Sequence, residues 1–117
     1  MKQDVVVLLS RAPYGRVHVP EGLRAARGVA AGFDHHDVTV VYLEDGVYAA
    51  RDGVDREVLN MSPQIEDLHA EDGRMVVDAS ALADRAVDHD EVAEDIAIRS
   101  AREISTLIND ADEVLTF

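Results

Sequence analysis

The chain has 117 residues, 47% hydrophobic and 30% charged, a composition typical of one globular domain. Its 24 Asp and Glu against 11 Lys and Arg give a net charge of −13, which argues against direct binding to nucleic-acid phosphates. Because cysteine is absent, disulfides, thiolate metal sites, cysteine nucleophiles and persulfide carriers are excluded.

The charged residues are also unusual in kind. Fifteen of the acids are Asp, and ten of the bases are Arg, with Lys2 the one lysine. Such an excess of like charge weakens a compact chain at low salt but is screened at ~1 M salt, where the Debye length is ~3 Å. We therefore expect a halophilic protein. No apolar run reaches the ~20 residues that cross a bilayer, and no signal-peptide pattern is present, so we expect one domain over residues 1–117, located in the cytoplasm, without a membrane partner.

The first half of the chain alternates strand and helix patterns. Aliphatic runs predict buried strands at residues 5–9 and 38–43. Between them, apolar residues at helical spacing predict a helix over 20–33, with Pro20 in its first turn. A turn at residues 44–46 and a short helix over 47–50 follow the second strand.

The second half continues the alternation. A helix is predicted over 62–71, with Ser62 as its N-cap and Pro63 in its first position. A third strand over 75–77 and a helix over 80–86 follow. Residues 96–98 form either a fourth strand or part of a turn, a helix starts from Ser100, and 114–117 form the last strand. This order predicts an α/β fold, a three-layer α/β/α domain with a mainly parallel sheet of about five strands.

Ligands of such sheets bind beyond the carboxyl ends of the strands, where segments 10–19, 44–47 and 78–82 lie. The first of these is a polar loop ahead of a helix N-terminus, which suits either a small anion or a plain connecting or interface role. Neither G-x-G-x-x-G nor a P-loop motif is present. The candidate ligand or interface residues are Ser10, Arg11, Tyr14, Arg16, His18, Asp45 and Gly46.

Two acidic segments with histidine are weak candidates for metal binding. Residues 34–37 join a helix to a strand, where neighbouring side chains point apart, and residues 88–91 form an acidic helix start. His69 stands alone on its helix. No G-x-S-x-G or other catalytic signature occurs. We therefore expect neither a metal nor a cofactor, and we favour a non-enzymatic role.

Four segments follow one another in a distinctive order and spacing. They are the first strand with its loop 10–15, the helix start 21–23, the strand and turn 42–47, and the final segment 111–117. Together they resemble the DsrE/DsrF/DsrH family of small sulfur-relay proteins, and most closely its DsrF/TusC branch.

The resemblance implies an α/β/α fold and assembly as a homo-oligomer or with DsrE- or TusD-like subunits. In such assemblies a cysteine after the third strand of the DsrE or TusD-type subunit carries persulfide sulfur, for tRNA wobble-uridine 2-thiolation or for sulfur oxidation. The approximately matching position here is Asp78, whose carboxylate has no sulfur to load. The resemblance thus implies a non-catalytic relay subunit. The alternative is a homo-oligomeric protein, or an enzyme, that binds a small anion or another small ligand with the loop after the first strand.

The hydrophobic content predicts an oligomer, because it exceeds what one small core hides. We expect the loop 10–19 and the turn 44–47 to lie at the contact. Arg11 or Arg16 would pair there with a carboxylate across the interface, a geometry that favours Arg over Lys.

Overall fold

A computed structural model of the chain describes residues 2–32 and 35–117. They contain one five-stranded sheet in the order β4-β3-β2-β1-β5, and each pair of neighbouring strands is parallel. The predicted parallel α/β sheet is therefore confirmed. The strands are β1 (Asp4–Leu9), β2 (Asp37–Tyr42), β3 (Arg74–Asp78), β4 (Ala97–Arg99) and β5 (Glu113–Thr116).

Helices connect the strands, as parallel pairing requires. Within the described ranges, no helix combines the length and the apolar character needed to cross a bilayer. The α-helices are α1 (His18–Ala30), α2 (Ser62–Ala70), α3 (Ala79–Asp84) and α4 (Ala101–Asp110), and 3-10 helices occupy Glu44–Ala50 and His89–Glu91.

The two faces of the sheet are covered unequally. Alternate side chains of β1 point to opposite faces: Val5 and Val7 pack in a large core with α1, α2 and α3, whereas Val6 packs with Ile104 of α4. The chain advances from β1 to β4 along one face and returns through α4 on the other to reach β5, as right-handed crossovers require. The predicted three layers are confirmed.

Two helix starts differ from the prediction. Helix α1 begins at His18, two residues earlier than expected, because Pro20 is tolerated anywhere in the first turn, where backbone N–H groups have no intrahelical partner. It ends at Ala30, and the predicted last residue, Phe33, lies outside the described residues. In α2, Ser62 is the first helical residue and the fully buried Met61 is the N-cap.

Other boundaries shift by a few residues. The helix predicted over 47–50 is a 3-10 helix that begins at Glu44, and the helix predicted over 80–86 ends at Asp84. There Ala86 adopts the left-handed conformation, with φ of 53°, and the Val87 N–H donates to the Leu82 carbonyl, which ends the helix. Residues 96–98, for which the sequence allows a strand or a turn, belong to strand β4, which begins one residue later, at Ala97.

Candidate functional site

The three segments predicted to lie beyond the strand ends follow adjacent strands at the carboxyl edge of the sheet. The first, the loop after β1, is anchored by Ser10, whose N–H and hydroxyl both donate to the Phe117 carbonyl at 3.2 and 3.3 Å. In the second segment, Gly46 packs directly on the end of β1. A Cβ there would overlap the Leu9 carbonyl oxygen and lie 2.7 Å from its carbon. The 3-10 helix can therefore approach β1 only because position 46 is glycine.

Asp45 links the second segment to the third. The Arg85 Nε donates to Asp45 Oδ1 at 2.9 Å, and Arg85 Nη1 donates to the Ala81 carbonyl at 3.3 Å. This pair fastens the 3-10 helix to the last turn of α3. Sequence reasoning singled out Asp45 but not its partner, which lies 40 residues further along the chain.

Asp78 is the N-cap of α3. Its Oδ1 accepts hydrogen bonds from the Ser80 N–H at 3.0 Å and from the Ser80 hydroxyl at 2.8 Å. The carboxylate therefore satisfies one of the free N–H groups at the start of the helix. Asp78 therefore stabilises the start of α3.

Tyr14 forms a small cluster with Arg51 and Tyr48 at the same edge of the sheet. Arg51 Nη2 donates to the Tyr14 hydroxyl at 3.3 Å, while Arg51 Nε donates to the Tyr48 carbonyl at 3.0 Å. The guanidinium carbon also lies 5.2 Å from the centre of the Tyr48 ring, within cation–π range. Beside these residues is an open groove of about 400 Å³, lined by Tyr14, Arg51, Asp52, Gly53, Asp90 and Glu91.

The remaining loop candidates do not converge on one pocket. Arg11 and Arg16 are exposed, and neither side chain forms an ion pair or hydrogen bond within residues 2–32 and 35–117. His18 is half-buried at the start of α1, and its Nδ1 has no hydrogen-bond partner in the part of the chain that the structure describes. The loop thus offers two free guanidinium groups rather than a closed anion site.

Sequence reasoning missed the strongest charged cluster. Arg56 holds both carboxylate oxygens of Asp95, with distances of 2.7 and 2.8 Å, and His69 Nε2 lies 3.1 Å from Asp95 Oδ2. The guanidinium of Arg56, and to a lesser extent His69, lowers the pKa of Asp95 to about 2 despite its partial burial. No local pattern reveals this cluster, because Arg56 and Asp95 are 39 residues apart.

The resolved pKa shifts do not suit acid–base catalysis near neutral pH. The Asp95 carboxyl is held ionised, and burial raises the pKa of the Tyr42 phenol far above its usual value. The Tyr42 hydroxyl donates to Met75 Sδ at 3.2 Å inside the core. An efficient general acid or base has a pKa near the working pH. The pKa values of Asp95 and Tyr42 are both shifted away from neutral pH.

The histidines of the 34–37 segment contact different parts of the molecule. His36 Nδ1 accepts a hydrogen bond from the Gln3 N–H at 2.9 Å, and His35 Nδ1 lies 3.5 Å from Glu71. Asp34 lies outside the described residues. In the 88–91 segment, the Asp88 N–H donates to Glu91 Oε1 at 3.1 Å as part of a capping box. Among described side chains, no three metal-binding groups of either segment come together.

The profile of the DsrE/DsrF-like family matches residues 3–117, nearly the whole chain. This chain belongs to the DsrE/DsrF-like family. It is 34% identical to the intracellular sulfur oxidation protein DsrF of Allochromatium vinosum, over 92% of this chain and 90% of that protein. It is 28% identical to a TusC homolog of Pasteurella multocida, over 90% and 92% of the two chains. The resemblance to the DsrF/TusC branch is confirmed.

The fold of this DsrE/DsrF-like chain also matches a solved structure. The crystal structure of the ychN protein from E. coli superposes with a TM-score of 0.82 and covers 100% of both chains, at 24% identity. At that identity the match establishes the fold. It supports the same α/β architecture that the strand and helix pattern predicts.

Proposed function

We propose that this chain is a non-catalytic subunit of a DsrE/F-type, Tus-like intracellular sulfur-relay assembly that supports tRNA wobble-uridine 2-thiolation. The main support is the 34% identity to DsrF over 92% of the chain, together with the TusC homolog at 28%. Each alignment covers at least 90% of the chain rather than one motif. We place this role in the cytoplasm, with DsrE/TusD-like subunits as partners in a hetero-oligomer.

The chemistry of sulfur transfer defines what such a subunit can do. An acceptor thiolate attacks the outer sulfur of a donor persulfide, a new S–S bond forms, and the donor's S–S bond breaks to release the donor thiolate. This chain has no cysteine and so cannot be the acceptor. In our proposal the sulfur-bearing cysteine belongs to another subunit, and this chain supplies a surface that assembles or covers it.

The carboxyl end of β3 is the position where the family resemblance places that cysteine. Here Asp78 occupies it and uses its carboxylate to cap α3 through Ser80. A carboxylate keeps the local fold of the helix start, since Asp is among the preferred N-cap residues. The proposal is therefore that the architecture of the site persists while its sulfur chemistry has moved to a partner.

The alternative, a protein that binds a small anion with the loop after β1, is less well supported. Arg11 and Arg16 favour it, because both guanidinium groups are exposed. The groove beside the loop, however, is lined by the carboxylates of Asp52, Asp90 and Glu91. Their negative potential repels an anion from this groove, which the loop borders through Tyr14.

The experiment for the relay role is deletion of the gene, followed by mass spectrometry of wobble 2-thiouridine in total tRNA. We expect the 2-thiouridine content to fall and to be restored by the wild-type gene. Tagged wild-type protein, purified at the salt concentration of its cells, should retain a family member that carries a cysteine. Unchanged thiolation together with purification of the chain alone would overturn the proposal.

A second experiment tests the position of Asp78 directly. Wild-type protein mixed with the persulfide-loaded partner should gain no sulfur by intact mass, whereas Asp78→Cys should gain one sulfur atom. The matched control is Ser105→Cys, which puts a thiol on the exposed side of α4, away from the carboxyl edge. Equal loading of both variants would contradict a transfer site at position 78.

A further inference from the structure

Strands β3 and β4 border an open groove of about 320 Å³. Strand β4 is an edge strand, and β1 lies three positions further along the sheet, so this groove is remote from the loop after β1. Its charged and titratable lining consists of two arginines, one histidine and two carboxylates: Arg74, Arg99, His69, Glu94 and Asp95. We call it the β3–β4 groove.

The β3–β4 groove differs in charge from the groove beside Tyr14. Its Asp95 carboxylate is neutralised by Arg56, which holds both oxygens from outside the groove. Two guanidinium groups then face the single carboxylate of Glu94, whereas the groove beside Tyr14 has three carboxylates and one guanidinium. In a chain with a net charge of −13, a recess with an excess of positive charge is where an anion meets the least repulsion.

The two arginines of the β3–β4 groove retain donors for a ligand. Arg74 Nη2 donates to the Thr39 hydroxyl oxygen at 3.2 Å, and Arg99 Nη1 donates to the Ile98 carbonyl at 3.0 Å. Neither guanidinium forms an ion pair with a carboxylate of residues 2–32 and 35–117. Because a guanidinium has five N–H donors in a planar fork, each can still bind the oxygens of a tetrahedral oxyanion.

The β3–β4 groove also contains hydrogen-bond acceptors, and these restrict which anion fits. The Glu94 carboxylate is exposed and forms no ion pair within the described ranges. His69 Nε2 lies 3.1 Å from Asp95 Oδ2, and Asp95 stays ionised because its pKa is about 2, so Nε2 carries the proton of this contact. In a neutral ring Nδ1 is then an acceptor. An anion beside Glu94 and His69 must therefore bring a proton of its own.

We propose that the β3–β4 groove binds inorganic phosphate. The guanidinium groups of Arg74 and Arg99 donate to phosphate oxygens, and the phosphate hydroxyl donates to the Glu94 carboxylate or to His69 Nδ1. Hydrogen phosphate keeps a proton at pH 8. Sulfate has none, and a phosphate monoester loses its last proton near pH ~6, so both would place an unprotonated oxygen against a carboxylate. The site is independent of sulfur transfer, and the proposed relay role can fail without affecting it.

The test is a set of NMR titrations of the ¹⁵N-labelled wild-type protein at pH 8 in molar KCl, where long-range repulsion is screened. Potassium phosphate, potassium sulfate and glycerol phosphate are added separately at constant ionic strength. Phosphate should shift the amide signals of residues 73–76 and 97–99 until they saturate, and the other two anions should bind at least ~10-fold more weakly. No saturable shift with phosphate, equal affinity for either competitor, or shifts centred on the loop 10–19 would overturn the proposal.

Variants of the β3–β4 groove test the role of each group, with circular dichroism to show that they fold. Arg74→Gln/Arg99→Gln should weaken phosphate binding at least ~10-fold, because charge-assisted hydrogen bonds are lost. Glu94→Gln should strengthen sulfate binding at least ~10-fold, since the amide can donate to a sulfate oxygen. The matched control, Arg11→Gln/Arg16→Gln, removes two exposed arginines from the loop after β1 and should leave phosphate binding unchanged. Loss of binding in the control, or full binding without Arg74 and Arg99, would contradict the site.

Discussion

Arg56 and Asp95 form a bidentate ion pair, with Nη1···Oδ2 at 2.7 Å and Nη2···Oδ1 at 2.8 Å. His69 from α2 contacts the same carboxylate at 3.1 Å. One acidic side chain therefore joins three segments: the loop before α2, the helix itself and the loop before β4. Bidentate geometry makes this pair stronger than the single contacts found elsewhere on the surface.

This pair predicts a pH-dependent contribution to stability. The pKa of Asp95 is about 2 in the folded chain, below its ordinary value of 3.8. The contribution is therefore complete above pH ~4 and is lost as the pH falls toward 2. At pH 7, Asp95→Asn should lower the free energy of unfolding by about 1 kcal/mol, a value reduced for the partial exposure of the pair.

Urea unfolding in molar KCl at several pH values measures this effect. The control is Asp67→Asn, which removes a more exposed partner of Arg27 at 3.4 Å and should change stability by less than ~0.5 kcal/mol. If Asp95→Asn were as harmless as the control at pH 7, the stabilising role of the cluster would be wrong.

Gly46 should tolerate no side chain. In Gly46→Ala the new Cβ would meet the Leu9 backbone, which cannot move without disturbing β1, a strand paired on both sides, with β2 and with β5. We expect a loss of more than ~3 kcal/mol in the free energy of unfolding. Gly28→Ala, at an exposed helical position with no atom near its Cβ, should instead gain ~0.5–1 kcal/mol. Thermal melts of both variants give the comparison, and a mild effect at position 46 would contradict the close packing.

Asp78 should act as a helix cap. Asp78→Ala removes the acceptor for the Ser80 N–H and should cost ~1 kcal/mol, whereas Asp78→Ser retains a capping oxygen and should cost much less. Chemical denaturation distinguishes these two values. Equal losses in the two variants would show that the carboxylate acts through something other than capping.

Salt should stabilise the fold. Raising KCl from ~0.1 to ~2 M screens the repulsion among an excess of 13 negative charges, and we expect at least ~2 kcal/mol of added stability, or ~10 °C in Tm. Sucrose at matched osmolality serves as the non-ionic control and should give a smaller rise. A Tm independent of KCl would contradict the halophilic character that the composition predicts.

Local patterns in the sequence determined the order and type of the elements. The apolar run at 5–9 is a strand because five consecutive aliphatic residues suit a strand that is buried on both faces. Helix α4 starts after Ser100 because Ser100 and Glu103 form a capping box within one turn. Parallel pairing followed from the alternation of strands and helices. These signals act over a few residues, so they can be recognised without the fold.

Tertiary structure alone decided which side chains meet. Arg56 reaches Asp95, Arg85 reaches Asp45 and Arg51 reaches Tyr14 across 37 to 40 positions of sequence. With 24 acids and ten arginines, composition allows many such pairs and selects none. The selection comes from the crossover connections. They bring the segments after β1, β2 and β3 to one edge of the sheet, where Arg85 meets Asp45 and Arg51 meets Tyr14. They also bring the segment before β4 next to the end of α2, where Asp95 meets Arg56.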